Sequence, residues 1–319
     1  MTQENPLLKR IKLPGRRFRL PSKGLFYKNG ELDESVVDGE VEVFSMTTVD
    51  EINLRTPELL FNGEAVRKVF KRCIPEVKEP FKLLSNDVDF LLGCLRVVSY
   101  GNEITVDTYC PKCEERQLEE NQTNIRKFCD EAKKYTEENG IDYDEFMEDP
   151  VNSKKLDMMI KKRSTKQHFN INLNSILQNK TTELEEDSLD SYYLKLSNGD
   201  EVFLKPMILE NAVSAYQLQS NKQVTEDADL LGDYLSFIIA ASIDHVNETY
   251  EIDYIVEWAK ELPIKLKQEL VKQFENLQRW GTDYDYTLTC QTPNCGHTWG
   301  ASALLNPIGF FMQPSDSVE

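Results

Sequence analysis

The sequence predicts an α+β protein: a mainly helical body with short strands and hairpins, stapled by two distant cysteine pairs and carrying an acidic helical insertion. Three observations predict it. Apolar residues recur at helical spacing over much of the chain. Short alternating stretches lie beside turn residues. Two close cysteine pairs, Cys110/Cys113 and Cys290/Cys295, each follow an alternating stretch. With 319 residues and 40% hydrophobic content, the chain can bury a substantial core.

The first region, residues 1–19, is a basic arm. Within the first 23 residues, Lys9, Arg10, Lys12, Arg16, Arg17, Arg19 and Lys23 face a single acid, Glu4. Such a segment is either a tether to a negatively charged partner, with Arg16, Arg17 and Arg19 as the partner-binding residues, or a solvated tail. The second region, residues 20–113, opens with turn chemistry at Pro21 and Gly24, and Val41 to Phe44 alternate as a short strand. Short helices follow, with Ile52, Leu59, Leu60, Val66, Val69 and Phe70 at helical spacing, broken at Pro57 and Gly63. A stronger helix starts at Asn86 and carries Phe90, Leu91, Cys94, Leu95 and Val98 on one stripe before Gly101. Ile104, Val106 and Thr108 then form a strand that leads into Cys110.

Residues 114–167 are strongly polar and read as an acidic helical insertion, with helices expected at 124–138 and 153–163 separated by Gly140 and Pro150. In the last region, residues 168–319, Phe169, Ile171, Leu173 and Ile176 resume an apolar alternation. Residues 192–196 and 202–204 flank Asn198-Gly199, a strong hairpin signal. Helices are expected over 228–243, 250–261 and 263–280. A strand through Tyr284, Tyr286 and Leu288 then delivers the second cysteine pair, and an apolar tail contains Leu304, Leu305, Ile308, Phe310 and Phe311.

Composition excludes several classes. Lys plus Arg total 37 against 55 Asp plus Glu, a formal charge of −18, which repels a polyanion unless positive charge is segregated. His168, His245 and His297 are the only histidines, so a multi-histidine metal site or a Ser-His-Asp triad has little to draw on. No apolar window is long enough to span a bilayer, and the N-terminal stretch lacks the apolar core of a secretion signal. Neither G-x-x-x-x-G-K-[ST] nor G-x-G-x-x-G occurs. The carboxylate runs read as solvated surface, so no acid-base site is expected and the chain is not read as an enzyme.

The chemistry therefore rests on Cys110, Cys113, Cys290 and Cys295. Two cysteine knuckles, the second followed by Gly296-His297, build a four-thiolate zinc ribbon in which one structural Zn is closed off from water. With 176 residues between Cys113 and Cys290, the ion would join distant parts of the chain. The same residues allow free surface thiols, an iron–sulfur cluster, or a redox dithiol at Cys110-Pro-Lys-Cys113. The dithiol reading is weakened because the motif follows a strand and no helix is expected to begin there. Seven cysteines in two close pairs plus isolated members fit a reducing compartment. Cys73, Cys94 and Cys129 are assigned to packing or surface, and Trp258, Trp280 and Trp299 to core or interface.

An ordered string of motifs adds to this reading: Arg19-Leu-Pro-Ser-Lys-Gly-Leu-Phe-Tyr27, Val43-Phe-Ser-Met-Thr-Thr-Val-Asp-Glu51, Leu59-Leu-Phe-Asn-Gly63, Ser99-Tyr-Gly101 and Cys110-Pro-Lys-Cys113. It resembles the baseplate hub assembly proteins of T-even-type contractile-tailed bacteriophages, best over residues 20–113 and more weakly from the Asn-Gly hairpin through Glu257-Trp258 to the last cysteine pair. The resemblance implies a non-enzymatic structural or assembly protein of the tail baseplate. Its implied partners are other baseplate or tail hub proteins, with oligomers within the baseplate allowed. Its implied location is the virion tail baseplate, or the host cytoplasm during assembly. Membrane and nucleic-acid partners are not expected. The insertion departs from the shorter family pattern. The alternative function is a nucleic-acid-binding zinc-ribbon regulator using the basic arm.

Overall fold

In the computed structural model, residues 14–220, 228–277 and 279–302 are described. The expected apolar tail, and the part of the basic arm before residue 14, lie outside the described residues. In chain order, the elements are β1 (Arg16–Arg19), β2 (Glu40–Val43), α1 (Thr48–Arg55), α2 (Pro57–Phe61), α3 (Glu64–Cys73), α4 (Ser85–Tyr100) and β3 (Glu103–Thr108). Next come α5 (Pro111–Asn139), α6 (Tyr143–Glu148), α7 (Pro150–Lys161), β4 (Gln167–Asn172), α8 (Leu173–Asn179) and β5 (Thr181–Thr182). The last part contains β6 (Tyr193–Lys195), β7 (Glu201–Leu204), α9 (Leu209–Ser220), α10 (Ala228–Ala241), β8 (Ile243–Val246), α11 (Ile252–Glu261), α12 (Ile264–Leu277), β9 (Gly281–Thr282), β10 (Asp285–Thr289) and β11 (Thr298–Ser302). The mixed α+β class is as the sequence predicts.

The chain divides into two compact units. The larger takes its described residues from the stretch up to Ile104 and from Asn172–Tyr284. Its interior is apolar: Leu20, Val41, Phe70, Leu91 and Leu95 have no measurable exposure, and a second cluster gathers Leu84, Val202, Ile243, Ile255 and Leu270. Burying side chains of this size contributes about 1.5–3 kcal/mol each. The α4 helix was expected to bury one stripe. It also buries Gly93, Arg96 and Val97, so it is covered over more than one face.

The turn motif at residues 20–27 acquires a physical reason here. Buried Asp87 accepts hydrogen bonds from the Ser22 amide at 3.0 Å, the Ser22 hydroxyl at 2.5 Å and the Tyr27 hydroxyl at 2.7 Å. The carboxylate thereby holds the loop on α4 with its polar demands met. Gly39 has φ +69°, and a Cβ there would lie 2.6 Å from the Lys23 carbonyl carbon, so this close crossing requires glycine.

The Asn198-Gly199 hairpin forms as expected, joining β6 to β7, with Gly199 at φ +98°. A third strand, β8, pairs with β7 and was not foreseen, because Ile243 to Val246 follow an apolar helix without a break. Leu173 and Ile176 lie in α8 rather than continuing a strand. Asn172 caps that helix by accepting the Ser175 amide at 2.9 Å.

Two expectations near the N-terminus and the insertion need correction. The arm does not extend to residue 19: Arg16–Arg19 form β1, antiparallel to β2, with Phe18 opposite Val41. The insertion helix does not begin at 124: α5 runs unbroken through 29 residues from Pro111. Proline at the first helical position starts it, and Gly140 at φ +66° ends it.

The smaller unit consists of Thr105–Ile171 and Asp285–Ala303. It contains the helical insertion and the β10–β11 hairpin, in which Thr289 lies opposite Thr298. Among the described residues, no helix is long and apolar enough to cross a membrane.

Candidate metal centre

The four predicted cysteines meet within the smaller unit. Their sulfurs all lie within 4.8 Å of one another. The Cys113 sulfur is 3.6 Å from that of Cys290 and 3.5 Å from that of Cys295, and Cys110 and Cys295 are 3.9 Å apart. A tetrahedral ion with metal–sulfur bonds of about 2.3 Å sets sulfurs roughly 3.8 Å apart. The cluster fits that shape, and its separations are far longer than a disulfide bond. The donor set suits zinc, a borderline-soft ion that thiolates bind well. Cys110, Cys113, Cys290 and Cys295 would hold it, leaving no position for water.

The two ligand pairs reach the cluster by different routes. Cys290 directly follows β10 and Cys295 lies in the turn before β11. The turn folds back because Asn294 and Gly296 adopt positive φ, +62° and +56°. The Cys290 amide donates to the His297 carbonyl at 2.8 Å, and the Cys295 amide donates to Thr292 at 3.1 Å. Cys110 and Cys113 instead sit on a helix end: Cys110 is the cap residue of α5 and Cys113 lies in its first turn. This corrects the expectation that no helix begins at the motif. The free amides and positive dipole end of a long helix face the thiolates and favour their negative charge.

The surrounding polar groups reinforce that charge balance. Arg116, one turn along α5 from Cys113, donates to its sulfur at 3.4 Å. Gln167 donates to the Cys290 sulfur at 3.1 Å, as does the Thr292 amide at 3.4 Å. Burial opposes ionisation of Cys290, but the bonds from Thr292 and Gln167 outweigh it and bring the thiol down to about 6. Burial pushes Cys110 up to about 12. A bound cation would favour the thiolate form at all four cysteines.

Cys110 is fully buried, Cys113 and Cys290 nearly so, and Trp299 packs against them. Phe169 meets Trp299 edge-on, with ring centroids 5.9 Å apart. His297 contributes its carbonyl and lays its ring parallel to Trp299, while the cluster itself is all cysteine. Cys73 and Cys94 are buried elsewhere, in the larger unit.

Arg16, Arg17 and Arg19 do not join this site. Arg17 reaches Glu40 at 3.6 Å and Glu76 at 3.4 Å. Arg19 pairs with Asp38 and lies 3.6 Å from Glu183, and Arg16 donates to Asn174 at 3.4 Å. The chain's own acids therefore meet much of the charge that the sequence offered to a partner.

Sequence reasoning missed Gln167 and Arg116. Arg116 becomes legible once α5 is recognised to begin at Pro111, since a residue three positions on returns to the same face. Nothing local marks Gln167, whose role depends on a strand pairing across the insertion.

A family model described as T4 bacteriophage base plate protein matches residues 38–146, about a third of the chain. In the same comparisons, no curated protein and no solved structure matches. Over that stretch the chain is similar to a phage base plate family, and its C-terminal boundary falls within the insertion.

Proposed function

We propose that this protein is a structural or assembly component of a contractile phage tail baseplate, in the region of the central hub. It acts through contacts with other baseplate or hub proteins and performs no catalysis of its own. The observation that carries this reading is the base plate family match over residues 38–146. The closed four-cysteine cluster supports it, because a metal enclosed by four thiolates stabilises a fold and leaves no open position for a substrate.

In this reading, one zinc ion fixes the α5 end and the β10–β11 hairpin as one rigid piece, and the helical insertion projects from that piece. The test is co-expression with the neighbouring tail proteins, followed by sedimentation and mass spectrometry of the assemblies. Stoichiometric incorporation of the wild type, with reduced incorporation of Cys113→Ser, is expected. Absence from both intermediates and finished tails would sink the proposal. Steeply salt-dependent retention on DNA would favour the nucleic-acid alternative. Neutralising Arg16, Arg17 and Arg19 together tests whether β1 also contributes to incorporation; unchanged incorporation would leave these residues a role within the chain only.

A further inference from the structure

One side chain beside the cluster does more than fill space. Gln167, the first residue of β4, is 4% exposed and uses its whole amide on three consecutive residues of the second cysteine turn. Its Nε2 donates to the Cys290 sulfur at 3.1 Å and to the Thr292 Oγ1 at 3.2 Å. Its Oε1 accepts the Gln291 amide at 2.9 Å. Only one orientation satisfies all three: turning the amide over would set its oxygen against sulfur and its NH2 against an N–H donor. Gln291 answers by donating its own Nε2 to the His168 carbonyl at 3.2 Å.

The same return segment is fastened beside the first ligand pair. Glu114, next to Cys113, accepts the Ser164 amide at 2.9 Å, the Ser164 hydroxyl at 2.6 Å and the Arg163 guanidinium at 3.1 Å. The Arg163 guanidinium also lies 4.7 Å from the ring centroid of Tyr109, next to Cys110. Residues 163–168, where the insertion ends, thus grip a neighbour of each cysteine in the first pair and touch a ligand of the second.

We propose that Gln167 is the positioning residue of the metal centre. It fixes the Cys290 sulfur and its turn around the ion, and so makes the end of the helical insertion part of the site. Groups that orient ligands in this way typically change metal affinity by about 10–100-fold when removed. The proposal rests on the reading of the four cysteines as a metal site.

The experiment uses the full chain and cobalt(II) as the probe, comparing wild type with Gln167→Met, which removes the donors at similar volume, and Gln167→Glu, which keeps the shape but cannot donate. The wild type should take up one cobalt with a four-thiolate spectrum. Both variants should bind about 10–100-fold more weakly. Their sulfur-to-cobalt charge-transfer band should move to lower energy, since a thiolate without its hydrogen bond gives up electron density more readily. Affinity within about twofold of wild type, or weaker binding with an unmoved band, would overturn the role and leave Gln167 an ordinary packing residue. Wild-type protein that takes up no cobalt would sink the metal reading itself, a different failure. Should neither variant fold, hydrogen exchange of the cobalt-loaded wild type decides: a protected Gln291 amide supports the hold of Gln167 on the turn, and rapid exchange overturns it.

Discussion

The two units of this chain are held together by different chemistry. In the larger, fully buried Leu, Val, Ile and Phe side chains come from strands and helices throughout, and removing water from them supplies the driving force. In the smaller, the buried hydrophobic residues among those described are Phe128, Ala132, Leu288 and the thiols Cys110, Cys113 and Cys290, with Asn121, Thr136 and Gln167 as buried polar companions. A unit with so little apolar interior resembles small domains that need a metal or disulfide to stay folded. One chain therefore combines an apolar core with a unit whose interior centres on a four-cysteine cluster able to hold an ion.

The largest effect that would test this contrast is removal of the metal. A strong chelator, or Cys113→Ser, should abolish amide protection in the smaller unit while the larger keeps its own, as read by hydrogen exchange with mass spectrometry. Structural zinc in small domains is worth about 10 kcal/mol or more, enough for this outcome. Protection that survives chelation in both units would erase the contrast.

The converse variant is Leu91→Ala, at a fully buried position of α4. It should cost about 2–5 kcal/mol in denaturant unfolding of the larger unit, with metal uptake unchanged. A loss of metal affinity in this variant would show that the two units do not stand independently.

A smaller, pH-dependent effect belongs to Asp87. Burial pushes its carboxyl up to about 6, although Ser22 and Tyr27 bond to it. An unfolded aspartate has a pKa of about 3.9, so between these values the native state binds the proton more tightly. Stability from this group is fully present below about pH 4 and is lost as the pH rises through about 6. Asp87→Asn should flatten the dependence in that window, and urea melts from pH 4 to 7 would reveal it. The smallest effect is expected from Arg19→Ala, since its partners Asp38 and Glu183 are exposed. A melting temperature that stays within error of wild type would bear this out.

The cysteine cluster was legible because each ligand pair is local: two thiols a few residues apart can be seen without knowing the fold, and only their meeting requires it. The Asn198-Gly199 hairpin was legible for the same reason. The extent of α5 was not, because its buried positions, Cys113, Asn121, Phe128, Ala132 and Thr136, include two polar residues and form no continuous apolar stripe before 128. Pro111 directly after Cys110 was the available signal, and it was masked by reading the motif as a strand-borne turn. β1 was hidden because Arg16, Arg17 and Arg19 look like a solvated charge run. Pairing with β2 forms the strand, and acids from several stretches, Glu40, Glu76 and Glu183 among them, meet its arginines. Gln167 was hidden for the opposite reason, since an isolated glutamine gives no hint of the turn it will meet more than a hundred residues later.

The separation of the ligand pairs also has a consequence in time. Cys110 and Cys113 leave the ribosome well before the chain has reached Cys295. At about 5–20 residues per second, the wait is roughly 10–35 s. Throughout it, the emerging chain has only half a coordination sphere, and the ends of the insertion have no second anchor. Closure of the site thus registers synthesis through residue 295: a product cut short before Cys290 has two of the four thiols, one cut short before Cys295 at most three, and neither can complete the cluster.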